Sequence, residues 1–237
     1  VFGTGTGGDA PFPCAARFEV ASDGSQLRFD TYAARLQNGV LGDIAVRTPD
    51  GDLRVVSQII MSSKETGWSA EEGTVSALTL RQHGPVRAVF TCSKAVGGTH
   101  NLEREWRFYG DRFEVYSRST PPVGCLTRTF FAADGMASNE TGATAAMDGR
   151  GDAEDFGFKG TPQWFAVHAE AWSTVCIALT RSTGFTYWDN GAHRGQVALN
   201  TGGEEREGRV FIWAAKPTGD AFARDAANAY AAGATAK

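Results

Sequence analysis

His100 and Arg104 stand four residues apart in HNLEREWRF (100–108), on the side of that run that is otherwise apolar. An imidazole near neutral pH is the usual general base, and a guanidinium offsets a carboxylate. Together they suit β-elimination on an acidic sugar. There a cation neutralises the carboxylate, a base removes the adjacent C5 proton, and an acid protonates the leaving oxygen. Two further histidines sit among aromatic and polar residues. His168 lies in TPQWFAVHAEAW (161–172), and His193 in GFTYWDNGAHRGQ (184–196). His100, His168 and His193 are therefore candidate bases. Arg104 and Arg194 are candidate neutralisers, and Tyr187 and Tyr116 candidate acids. His83 precedes Gly84-Pro85 in a turn and is expected to be inert.

A pyranose presents apolar C–H faces on which an aromatic ring can stack. Trp188 and Asn190, in a polar turn, are the leading substrate contacts, with Trp164 beside them. Most tryptophans of a β-domain belong to its core, and Trp106, on an apolar strand face, is expected there. Asp148, Asp152 and Asp155 cluster in DGRGDAED (148–155). Oxygen ligands at that density can hold Ca²⁺, but the spacing is not that of an EF-hand, and a solvated charged loop is the simpler reading. No cofactor is implied otherwise.

Residues 84–130 carry seven Lys/Arg (Arg87, Lys94, Arg104, Arg107, Arg112, Arg118, Arg128) against four Asp/Glu (Glu103, Glu105, Asp111, Glu114). The whole chain has a formal charge of −4, so this run is a basic island in an acidic protein. Such an island suits an anionic ligand such as a uronate polysaccharide. Cross-strand ion pairing, for instance Glu103 or Glu105 with Arg112, is the competing account. The overall acidity argues against nucleic acid as a partner. No apolar run reaches the length of a membrane span. GxSxG, Walker, GxGxxG and HExxH motifs are missing, which removes support for elbow hydrolase, nucleotide and zincin chemistry.

These side chains are carried by short strands. Candidates are 15–20, 27–32, 43–47, 53–61, 74–81, 85–93, 100–109, 112–119 and 125–131, then 164–169, 172–180, 185–188, 196–199 and 209–214. Asp-Gly, Asn-Gly and Pro-Pro signals separate them. The fold class that follows is all-β, an antiparallel two-sheet sandwich of supersandwich or jelly-roll type, in a single domain over 1–237. Residues 1–13 read as an irregular lead-in and 132–161 as a long polar loop. Residues 219–232 read as one C-terminal helix, capped by Thr218 and bearing Phe222, Ala226 and Tyr230 on one stripe. Cys14, Cys92, Cys125 and Cys176 lack metal-site spacing. Two disulfides in a secreted, extracellular protein are the leading account and buried free thiols the alternative. Asn139-Glu140-Thr141 is a glycosylation sequon expected in a polar loop.

GPVRAVF (84–90), followed by THNLEREWRFYGDRFEVYSRST (99–120), resembles a recurrent pattern of galactose-mutarotase-like β-sandwiches. These domains occur in polysaccharide lyases and related carbohydrate-active enzymes. VFIWAAKPTGDAFARDAANAYA (210–231) is similar to the tail of such domains. The resemblance implies a sugar-handling sandwich, and in particular a polysaccharide lyase acting on a uronate-containing glycan. A non-catalytic carbohydrate-binding domain and a mutarotase or epimerase are the alternatives. In the last, His100, His168 and Glu204 or Glu205 would fill a two-histidine-plus-carboxylate pattern.

Overall fold

The fold is taken from a computed structural model, which describes residues 18–62, 77–96, 100–122, 126–150, 161–180, 182–188, 194–201 and 206–235. The described residues form two antiparallel sheets and one helix. The first sheet has eight strands. They are β1 (Glu19–Val20), β2 (Leu27–Arg28), β3 (Tyr32–Gln37), β4 (Val40–Thr48), β5 (Gly51–Ser62), β10 (Leu126–Phe131), β16 (Gly195–Thr201) and β15 (Ser182–Trp188), in that spatial order. The second has nine. They run β12 (Thr144–Met147), β11 (Gly135–Asn139), β13 (Trp164–His168), β14 (Ser173–Ala178), β17 (Arg206–Ala214), β9 (Arg112–Thr120), β8 (His100–Phe108), β7 (Ala88–Val96) and β6 (Ala77–His83). The helix α1 is Asp220–Thr235.

Period-two alternation decides which face of each strand is buried. On β8, Leu102, Arg104, Trp106 and Phe108 point between the sheets, and on β9 Phe113, Val115, Ser117 and Ser119 do. Their aromatic rings meet those of the other sheet. Phe29 stacks on Phe108 at 5.5 Å, and Tyr32 lies 6.1 Å from Phe113. Within the nine-stranded sheet, Phe113 stacks on Phe211 at 4.9 Å. Each such pair adds about 0.5–1.5 kcal/mol beyond the area it buries. Tyr32 also donates its hydroxyl to the Arg112 carbonyl at 3.0 Å, a polar tie between the two sheets.

α1 covers only part of the outer face of the nine-stranded sheet. Ala223, Ala226, Ala227 and Tyr230 pack on Trp164, Ala166, Val175, Ile177 and Val210. β14 is thereby buried on both faces and reads STVCIA, without alternation. Phe222 is not on the packed stripe and remains exposed. Thr218 is not the cap either. Its hydroxyl donates to Ser173 Oγ at 3.0 Å and pins the helix start to β14.

Three other expectations are corrected. The span 132–161 contains the hairpin β11–β12, whose small residues alternate too weakly to announce it. Asn139 of the sequon is buried. Its Oδ1 accepts from the Thr141 amide and hydroxyl, which makes the motif a turn. Cys92 and Cys176 are free, buried thiols, which rules out two bridges. Cys14 and Cys125 lie outside the described residues.

Candidate functional site

Among the described residues nothing covers the outer face of the nine-stranded sheet over β6–β8, and there, with β9, it forms a groove of about 740 Å³. Its floor is backbone at Cys92, Arg104 and Ser117, whose side chains turn inward. Outward side chains stand in rows across the strands. Thr79 is opposite Thr91, Thr91 opposite Glu105, and Glu105 opposite Tyr116. In the next row Ser93 faces Glu103, and Glu103 faces Arg118. Arg81 sits where the β6–β7 register slips, and its Nε donates to Thr91 Oγ1 at 3.0 Å. Hydroxyls, carboxylates and guanidiniums thus line one open surface, the set of donors and acceptors that reads a polyhydroxylated ligand.

Tyr116 is fixed on three sides. The Arg107 guanidinium lies 4.5 Å from its ring centroid. The phenol donates to Glu114 Oε2 at 3.1 Å. Its ring also passes over Gly208, where an added Cβ would stand 3.2 Å from Tyr116 Cε1 and 3.0 Å from Leu179 Cβ. Partial burial, with the Glu114 charge and hydrogen bond, pushes the phenol up to about 12. It stays protonated at neutral pH, so it can donate a proton but not abstract one. Burial works against the charge of Arg107. The Glu105 hydrogen bond and charge outweigh it and hold Arg107 above its ordinary value.

The other anticipated residues do not gather here. Arg104 is buried between the sheets, with Nε 3.1 Å from Ser117 Oγ and its guanidinium 5.3 Å from the Trp106 ring. It shares that interior with Glu207 and Arg209, and the space they enclose admits no water-sized volume. His100 lies on the same inner face, roughly 13 Å along the strand. Its Nδ1 donates to the Pro121 carbonyl at 3.2 Å. His168 is on the outer face of β13, four strand steps or roughly 19 Å from β8. Its Nε2 lies 3.2 Å from Asp220 Oδ1, an atom that also accepts from Ser138 Oγ. His168 therefore anchors the start of α1.

Tyr187 is fully buried and donates its hydroxyl to the Ala146 carbonyl at 2.7 Å, which removes it as a proton donor to substrate. Trp164 is buried under α1 and Trp106 within the main core, so neither is a stacking platform. Arg194 ties two loops together, through Asp134 at 3.2 Å and the Asp148 carbonyl at 2.7 Å. His193, Asn190, Glu204, Glu205, Asp152, Asp155 and the Trp188 side chain lie outside the described residues. Asp148 accepts from the Arg150 amide and pairs with its guanidinium. Among the described residues no group of three or more His, Cys, Asp or Glu is placed to hold a metal ion.

The basic island is dispersed in the same way. Lys94 and Arg104 point inside, Arg107 bonds Glu105 and Glu114, and Arg112 bonds Asp111. Arg128 belongs to the other sheet, where it meets Gln196. Of the seven, Arg104 and Arg118 line the groove, and of these only Arg118 points outward into it. The groove residues Thr79, Arg81, Thr91, Ser93, Glu103 and Glu105 were missed as a site. The signal was their shared outward parity on neighbouring strands.

These features define a two-sheet antiparallel β-sandwich with a half-covered face. No protein-family model matches the chain, and no curated protein matches it in sequence. Solved structures do share its fold. A galactose mutarotase related enzyme from Lactobacillus acidophilus aligns at 4% identity and TM-score 0.52, over 81% of this chain and 97% of its own. A bacterial glucoamylase complexed with acarbose aligns at 7% identity and TM-score 0.58, over 88% of this chain and 33% of its own. An α-mannosidase from Enterococcus faecalis aligns at 10% identity and TM-score 0.59, over 90% and 32%. The chain thus shares the two-sheet β-sandwich fold of these structures, and spans about a third of the length of those two glycosidases.

Proposed function

We propose that this chain is the saccharide-binding β-sandwich of a carbohydrate-active enzyme, and that it holds its ligand in the β6–β9 groove. The carrying observation is the groove itself: an open, backbone-floored surface walled by Thr91, Glu103, Glu105, Tyr116 and Arg118. The likeness in fold to proteins described as a glucoamylase, an α-mannosidase and a galactose mutarotase related enzyme supports a sugar ligand by analogy. A polysaccharide lyase is the rival. It needs base and neutraliser on one sugar ring, whereas His100 and Arg104 are engaged by Pro121 and Ser117, and His168 by Asp220. That no base and neutraliser meet among the described candidates supports the binding reading.

Affinity electrophoresis in gels cast with single polysaccharides tests this. Retardation by at least one polymer, lost in Glu103→Ala and Arg118→Ala proteins of unchanged melting temperature, is the expected result. Retardation unaltered by both substitutions would move the ligand elsewhere. Appearance of unsaturated uronate absorbance with any of the same polymers would restore the lyase reading.

A further inference from the structure

Resting on that saccharide reading, we infer that the groove selects a neutral glycan over a polyuronate. Two outward carboxylates, Glu103 and Glu105, and two outward guanidiniums, Arg81 and Arg118, line it, so the formal charge of its outward side chains balances, while Arg104 lends it backbone and keeps its guanidinium inside. Both carboxylates stand on one strand, roughly 7 Å apart along it, with Thr91 and Ser93 on one side and Tyr116 and Arg118 on the other. A carboxylate can only accept, and a neutral sugar offers hydroxyl donors at that spacing. A uronate would bring a third carboxylate within a few ångströms of these two, a like-charge contact that raises the cost of keeping all of them ionised. The guanidiniums do not reverse this. Arg81, bonded to Thr91 Oγ1 through one of its five N–H groups, and Arg118 only match the two carboxylates in number, and Arg107 is committed to Glu105 and Glu114. The cations counted in 84–130 are spread over two faces and the interior, and of them Arg118 points into the groove.

The test uses the intact chain in gels containing a neutral β-glucan, galactomannan, polygalacturonate or alginate, at low and at 0.15 M salt. The expected result is retardation by a neutral polymer that changes little with salt. Glu103→Gln should weaken it about tenfold, the worth of one charge-assisted hydrogen bond. The same variant should gain retardation by polygalacturonate. Stronger retardation by a polyuronate than by either neutral polymer, suppressed by salt and lost in Arg81→Gln, would overturn the inference and leave the groove standing. Retardation by none of the four would overturn both.

Discussion

Arg104 and Ser117 face each other across the β8–β9 register inside the sandwich, with Arg104 Nε 3.1 Å from Ser117 Oγ. A guanidinium held there is a structural tie and not a hand extended to ligand. Arg104→Ala should cost about 2–4 kcal/mol, because it strips partners from buried polar groups. Urea denaturation measures this, and glycan retardation of the folded variant should stay within about twofold of the parent, well under the 1.4 kcal/mol that a tenfold loss represents. A stable variant that no longer bound glycan would return Arg104 to the site.

Gly208 is required by the close approach of Tyr116 and Leu179. Gly208→Ala should displace the Tyr116 ring by a few tenths of an ångström and cost about 1–2 kcal/mol from overpacking. Glycan binding should weaken with it, as a crystal structure of the variant and parallel retardation gels would show. Full retention of both stability and binding would mean that the ring has room to spare.

Alkaline pH should loosen the fold from three positions. Burial raises Tyr32, Tyr116 and Tyr230 above the ordinary phenol value of 10, Tyr116 to about 12. The neutral phenol is the form that the folded state favours. Its contribution is complete below pH 10 and disappears as pH climbs through the folded value. Melting temperature should therefore fall between pH 10 and 12. Tyr116→Phe should flatten that fall, and identical slopes for variant and parent would contradict the assignment.

Cys92 and Cys176 should resist thiol reagents in the native protein and react after unfolding without added reductant. Burial pushes the Cys176 thiol well up, so its nucleophilic thiolate is scarce. Peptide mapping after labelling in denaturant reads both positions. Failure of either to label there would reveal a bridge.

The sandwich was legible because 88–119 alternates with period two over three strands whose turns are short. Burial follows that parity at Phe90, Trp106 and Phe113. What parity could not convey was which outward face is roofed. His168 points outward like Glu103, yet α1 begins above it. Trp164 shares that side and is lost to solvent for the same reason. Charge counting is blind to facing for a related cause. It pooled Arg104, which points in, with Arg118, which points out, although they sit on neighbouring strands and share no face. The hairpin over 135–147 escaped because GMASN and TAAM carry too little apolar contrast.

The groove floor is main chain of β7, β8 and β9, the strands whose opposite faces carry Phe90, Trp106 and Phe113. A ligand seated on that floor has no counterpart site in the unfolded chain. Its binding therefore raises stability by RT ln(1 + L/Kd), with L the free ligand concentration, about 2.7 kcal/mol at a hundredfold excess over Kd. Occupancy can be read from a melting curve alone, and a panel of sugars can be ranked in plates with no knowledge of any reaction.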